Sequence, residues 1–259
     1  PATTADCAEV SLAEDEIDDS AVADEESILR ECVQANIPRR WLTWHYRSKD
    51  ETLIAFSNEK YYESKLASFP SPIGAAGSGL SLRRVDGTFD RTTSGSLSRT
   101  NAAEAAAIVS EIEARYAASP DRVPSIGVIT LNIQQRDLIR ERLLAASDPR
   151  ISATLEDPDD QDLWVLNLES VQGKEADLVL FSIAFSRDAK GKVPLTFGPM
   201  NLPGAERRLN VAVTRARTES IVFCSFEPSE LQARQPSSLA LQHLADFLVR
   251  AQGGATAAM

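Results

Sequence analysis

Ile126-Gly-Val-Ile-Thr-Leu-Asn-Ile-Gln-Gln-Arg-Asp-Leu-Ile-Arg-Glu-Arg-Leu-Leu-Ala-Ala146 is where the fold of this chain is most plainly written. Ile126–Thr130 is a compact apolar run, the signature of a strand covered on both faces. Gln134–Ala146 then reads as a helix. Upstream lie a helix at Ala102–Ala117, a strand at Leu80–Val85 between Pro/Gly/Ser-rich loops at 70–79 and 91–98, and a helix at Asp50–Asn58. Glu25–Gln34 also reads as helical until Pro38 breaks the pattern. Downstream come an acidic loop at Asp157–Asp162, strands at Trp164–Leu168 and Leu178–Ala184, a strand at Ile221–Ser225 and a helix at Ser238–Ala251. Short apolar strands alternating with longer helices predict an α/β fold, mainly a parallel sheet with helices on both faces. Ligands of such folds sit beyond the carboxyl ends of the strands, and the polar segments quoted below are expected there.

Glu206-Arg-Arg-Leu-Asn-Val-Ala-Val-Thr-Arg-Ala-Arg217 carries the strongest chemical signal. The spacing predicts one helix, with Leu209, Ala212, Val213 and Ala216 at i, i+3, i+4 and i+7. Arg208 and Arg215 then fall about two turns apart on nearly the same opposite face. Two fixed guanidiniums suit a multiply charged anion, although a solvated cationic face has the same pattern.

The 259 residues suffice for a substantial core, and 43% hydrophobic with 25% charged residues is an ordinary globular composition. No apolar run reaches membrane-spanning length and the acidic start is unlike a signal peptide, so a cytoplasmic protein is expected. The three scattered cysteines and two distant histidines suggest no disulfide framework and no metal site. The net charge of −11 is uneven: residues 1–31 hold eleven acids against one base, Arg30. The remainder carries 26 bases and 27 acids. Residues 1–24 therefore read as an acidic, solvated arm, and net charge does not decide the partner.

Three further segments line up with the Arg-rich one: His45-Tyr-Arg-Ser48, Gly127–Gln135 and Glu169-Ser-Val-Gln-Gly-Lys-Glu-Ala-Asp177. In this order the four resemble the motifs of the second RecA-like domain of superfamily 1 helicases, in the Upf-like branch. The likeness to a bacterial multidomain subgroup is closer, through Trp44–Ser48, Glu51–Ser57 and Phe69-Pro-Ser-Pro72. The resemblance implies that residues 25–236 form a RecA-like domain of P-loop NTPase type, with a terminal helix and tail at 237–259.

The resemblance also assigns roles. Tyr46 stacks on adenine, Arg47 reaches the terminal phosphate, Gly173 lets backbone approach the ligand, Lys174 lies beside the phosphates and Glu175 binds the ribose hydroxyls. Arg215 matches the arginine finger. Arg208 either lines the nucleotide cleft or pairs with an acid, and Asn210 orients neighbouring loops. Thr130 offers a hydroxyl to a strand phosphate, while Ser170 and Gln172 belong to the motif that touches both strand and nucleotide. The pattern departs from the family at Leu131-Asn132, where Pro-Tyr is frequent, and at Asn167 and Glu169, where Thr and Asp are common.

No Gly-x-x-x-x-Gly-Lys-Ser/Thr occurs. The implied cofactors are therefore ATP and a Mg²⁺ held mainly by a first RecA-like domain outside these residues, and the chain alone is expected to be inactive. Implied partners are single-stranded nucleic acid, with DNA favoured over RNA, that first domain, and a nuclease domain downstream. The competing expectation is a degenerate, non-catalytic scaffold that binds protein.

Overall fold

Apolar runs bounded by turns pair into seven strands among the described residues, and every pairing is parallel. β1 (Trp44–His45) and β2 (Ala67–Ser68) form a small ribbon. The main sheet contains β3 (Gly79–Arg84), β4 (Ile126–Thr130), β5 (Leu163–Asn167), β6 (Ala176–Ser182) and β7 (Ala216–Cys224), in the order β3-β7-β6-β4-β5. This computed structural model describes residues 32, 35–38, 40–68, 78–92, 95, 97–188 and 190–256. The acidic arm at 1–24, all but Cys32 of the expected helix at Glu25–Gln34, and Phe69–Pro72 lie outside them. Residues 1–42 and 43–259 are separate units, and the sheet belongs entirely to the second.

Helices cover both faces, as the α/β reading expects. α1 (Thr52–Tyr61) precedes β3; α2 (Ala102–Ala117), α3 (Ile133–Leu144) and α4 (Pro149–Glu156) follow it. α5 (Ala205–Val213), α6 (Pro228–Ala233) and α7 (Leu239–Thr256) come later in the chain. The period-two alternation of each strand divides the core. In β6, Leu178 and Leu180 join Ile108 and Ile112 of α2 and Ile139 of α3 on one face. Val179 and Phe181 join Phe56 of α1, Leu209 of α5 and Phe247 of α7 on the other. Gly127 is required where β4 meets β5: a Cβ there would lie 2.1 Å from the Trp164 ring.

Local signals explain the helix starts. Asn101 caps α2 by accepting from Glu104 N, Asn132 caps α3 by accepting from Gln135 N, and Asp148 caps α4 ahead of Pro149. α4 and α6 were absent from the periodicity reading because their eight and six residues span little more than two turns at most. Their Asp-Pro and Glu-Pro starts were the available cues.

The expected Glu206–Arg217 helix is corrected by the structure. It ends at Val213, and β7 begins at Ala216. The Thr214 hydroxyl donates back to Asn210 O and Val211 O, and the next residues gain ladder pairing with β6 through Ala216 and Ala176. Arg215 stands in the junction and Arg217 on the strand, so Arg208 and Arg215 do not share a helical face.

Candidate functional site at the amino edge of the sheet

All strands of the main sheet run parallel, so their amino ends share one edge. The short junction between α5 and β7 delivers Thr214–Arg217 to that edge, and the β5–β6 connection delivers Gly173–Glu175 beside it. This corrects the expectation that every motif lies at carboxyl ends. The reason is topological: Gly173–Glu175 enter β6 and Arg215 enters β7.

The segment after β1 is clipped to the same place. Ser48, buried, donates its hydroxyl to Ala216 O at 3.1 Å, and Lys49 N donates to Arg217 O at 2.7 Å. His45 Nε2 accepts from Ser48 N at 3.2 Å, and burial followed by the Arg47 charge pushes the imidazole pKa down. These bonds hold Arg47 against Glu175, with Arg47 Nε donating to Glu175 Oε2 at 2.9 Å. Tyr46, next in sequence, is 84% exposed. Such an open aromatic face is available for stacking.

Glu175 is shared. Arg217 donates from one terminal nitrogen to Glu175 Oε1 at 3.2 Å and from Nε to Asp177 Oδ1 at 2.9 Å, and its other terminal nitrogen donates to Ser125 Oγ at 3.2 Å. The Arg47 hydrogen bond, with the charges of Arg47 and Arg217, holds the Glu175 carboxyl below its ordinary pKa.

Arg215 is treated differently. Its Nε donates to Val211 O at 2.7 Å, and its terminal nitrogens donate to Lys174 O at 3.3 Å and Thr214 Oγ1 at 3.4 Å. Those acceptors are a helix-end carbonyl, a loop carbonyl and a hydroxyl, all neutral. Among the described residues it makes no contact ion pair. Burial, then the like charge of Arg47, pulls its pKa down, with Glu175 and Tyr62 opposing. Arg215 is thus a partly desolvated guanidinium beside a second one, hydrogen-bonded to neutral acceptors among the described residues.

The other expected residues lie apart from this pairing. Lys174 contributes its carbonyl to Arg215, while its ammonium meets Gln161 Oε1. Gly173, at φ +82°, faces open space, so a ligand or backbone can approach it. One terminal nitrogen of Arg208 reaches Pro203 O at 3.4 Å, and its charge opposes the burial that raises the Glu169 pKa. Asn210 donates to the Tyr62 hydroxyl at 3.3 Å, tying α5 to the end of α1. Thr130 sits at the far edge of the sheet, buried, its hydroxyl donating to Asn132 O at 2.7 Å. Ser170 is engaged with Asn167, and Gln172 is exposed.

Arg217, Asp177, Ser125 and Tyr62 were not picked out as site residues from the sequence. Arg217 lay inside the quoted motif, but a helical reading pointed it elsewhere. Among the described residues no group of three or more His, Cys, Asp or Glu is placed to hold a metal ion. No described helix is long and apolar enough to cross a membrane.

The parallel sheet thus gathers Arg47, Arg215 and Arg217 at its amino edge. A family model described as an AAA domain (AAA_12) matches residues 25–227, and the chain belongs to that family. It is similar to an uncharacterized ATP-dependent helicase, MG140, of Mycoplasma genitalium, at 30% identity over 213 residues. It is also similar to that protein's homolog in Mycoplasma pneumoniae, at 28% over 212 residues. Each match covers 80% of this chain but only 18% of the relative. Among solved structures, the C-terminal domain of a possible DNA helicase from Lactobacillus plantarum WCFS1 aligns with a TM-score of 0.39 at 12% identity. That alignment covers 76% of this chain and 92% of the other.

Proposed function

We propose that this chain is the second motor domain of an ATP-dependent, superfamily 1 helicase of the Upf-like branch, and that it completes an ATP site whose phosphate loop and Mg²⁺ lie on a first RecA-like domain. The observation that carries the reading is Arg215: half-buried, beside Arg47 and bonded only to neutral acceptors. ATP fits these residues, since its terminal phosphate supplies the anion that the cluster lacks. In this reading the exposed Tyr46 ring stacks on adenine, Glu175 takes the ribose and Arg47 and Lys174 face the phosphates. Arg215 neutralises charge developing on the transferred phosphoryl group. Gly173 leaves room for the nucleotide.

Single-stranded nucleic acid, DNA rather than RNA, is the proposed track. The motif from Asn167 to Gln172 faces it, with Ser170 and Gln172 nearest. Thr130 contributes by shaping the turn before α3, because its own hydroxyl is already bonded. A cytoplasmic location, expected from the composition, and a downstream nuclease domain, implied by the family resemblance, belong to the same reading. Arg208 acts through Glu169 to fix α5.

In the helicase that joins this chain to its phosphate-loop domain, Arg215→Ala is expected to lower kcat by roughly 10³–10⁵. Loss of its contact with the end of α5 costs only about 1 kcal/mol of stability. Single-turnover phosphate release and thermal melting measure the two. Unchanged turnover would instead identify the domain as a non-catalytic scaffold.

A further inference from the structure

Glu175 has two oxygens and two arginines. Oε2 takes Arg47 at 2.9 Å and Oε1 takes Arg217 at 3.2 Å. The two bonds differ in what stands behind them. Arg217, the second residue of β7, is anchored on Asp177 near the start of β6 at 2.9 Å and on Ser125 just before β4 at 3.2 Å. Arg47 sits in the segment after β1, and among the described residues its other bond is a long one, 3.5 Å, to Thr214 O.

Without Arg217 the carboxylate would be free to turn both oxygens onto Arg47, because a guanidinium fork and a carboxylate match in two parallel bonds. Such a pair would tie up the phosphate-seeking arginine and the ribose acceptor together. We propose that Arg217 is a positioning residue. It keeps Oε1 occupied, so that Oε2 alone is exchangeable, bound to Arg47 in this structure and to a ribose hydroxyl once Arg47 turns to the phosphates. The inference rests on the reading of Glu175 as the ribose acceptor, and it makes Arg217 a determinant of selectivity for nucleotides that carry ribose hydroxyls.

The test compares ATP with 2′,3′-dideoxy-ATP in the helicase of which this chain supplies the second domain, taking kcat/KM for each. Arg217→Ala is expected to lower the ratio of the two by about tenfold, the scale of one charge-assisted hydrogen bond. A purely structural role would lower both values together and leave the ratio intact. Glu175→Ala is run in parallel. If it collapses the ratio while Arg217→Ala does not, the inference is overturned and the ribose contact stands. If neither changes the ratio, the ribose contact itself is wrong and the inference falls with it. Should Arg217→Ala fail to fold, Arg217→Met decides: it keeps an apolar stem of similar length but has no donor to occupy Glu175 Oε1. A fall in its ratio supports the inference, and a wild-type ratio overturns it.

Discussion

The two edges of one sheet handle buried and half-buried charge in opposite ways. At the amino edge Glu175 is shared between Arg47 and Arg217, and Arg215 has only neutral acceptors. At the carboxyl edge Glu104 is fully buried and lies among neutral donors. It accepts from Ser225 Oγ at 2.6 Å, Ser182 Oγ at 2.9 Å and Ala184 N at 2.7 Å. Asn101 and Gln135 complete that network, linking the starts of α2 and α3. The charged groups of the amino edge stay partly exposed, whereas a carboxylate sealed by matched neutral donors serves to join elements.

The pKa values follow the same division. Burial pushes the Glu104 carboxyl up to about 7, against its hydrogen bonds, whereas Arg47 and Arg217 hold Glu175 below the usual range. Each group therefore gives stability its own pH dependence.

Arg215→Ala is the largest test of the comparison, because it removes the guanidinium on which the role proposed for the amino edge depends. Glu104→Ala comes next. It strands the donors of Ser182, Ser225 and Ala184 in the core and is expected to cost about 3 kcal/mol in urea unfolding. Stability loss equal to that of an exposed glutamate would break the contrast. In the wild type, folded Glu104 holds its proton above the pH at which the unfolded chain releases it. Its contribution is fully present below about pH 4.5 and declines as pH rises toward 7, with a slope of up to ~1.4 kcal/mol per pH unit. Glu104→Gln should flatten that slope in paired urea titrations.

Gly127→Ala, which drives a methyl into the Trp164 ring, is expected to cost about 1–3 kcal/mol and to shift tryptophan fluorescence. It strains the strand pair on which both edges depend. Glu175→Gln should have the smallest effect on stability, below ~1 kcal/mol, because its ion pairs are largely exposed. Its small contribution runs the other way with pH: present above the unfolded carboxylate pKa and lost as pH falls below it. A Glu175→Gln loss as large as that of Glu104→Ala would show that the amino edge is built for stability.

Much of the fold was legible because strands buried on both faces leave continuous apolar runs. Ile126–Thr130 and Ala102–Ala117 were bounded to the residue, and the parallel class followed from the alternation. Arg47, Glu175 and Arg215 were named from their motifs, and the structure brings them together. The error at Glu206–Arg217 has a specific cause. Leu209, Ala212, Val213 and Ala216 satisfy helical spacing and alanine itself favours helix, but pairing with Ala176 overrides that local preference at Ala216. Thr130 was read from its place at a strand end, which does not reveal that its hydroxyl turns inward to Asn132.

By itself the sequence determined the layered α/β class, the chain order of the five main-sheet strands, and which residue types were singled out, because these depend on local spacing and solvent exclusion. Only the tertiary structure decided which edge of the sheet each motif occupies, that Arg217 shares Glu175 with Arg47, and that Arg215 bonds only to neutral acceptors among the described residues. Those facts depend on residues brought from distant positions by parallel pairing. Whether a guanidinium is neutralised is a property of its neighbours in space, which no spacing along the chain records.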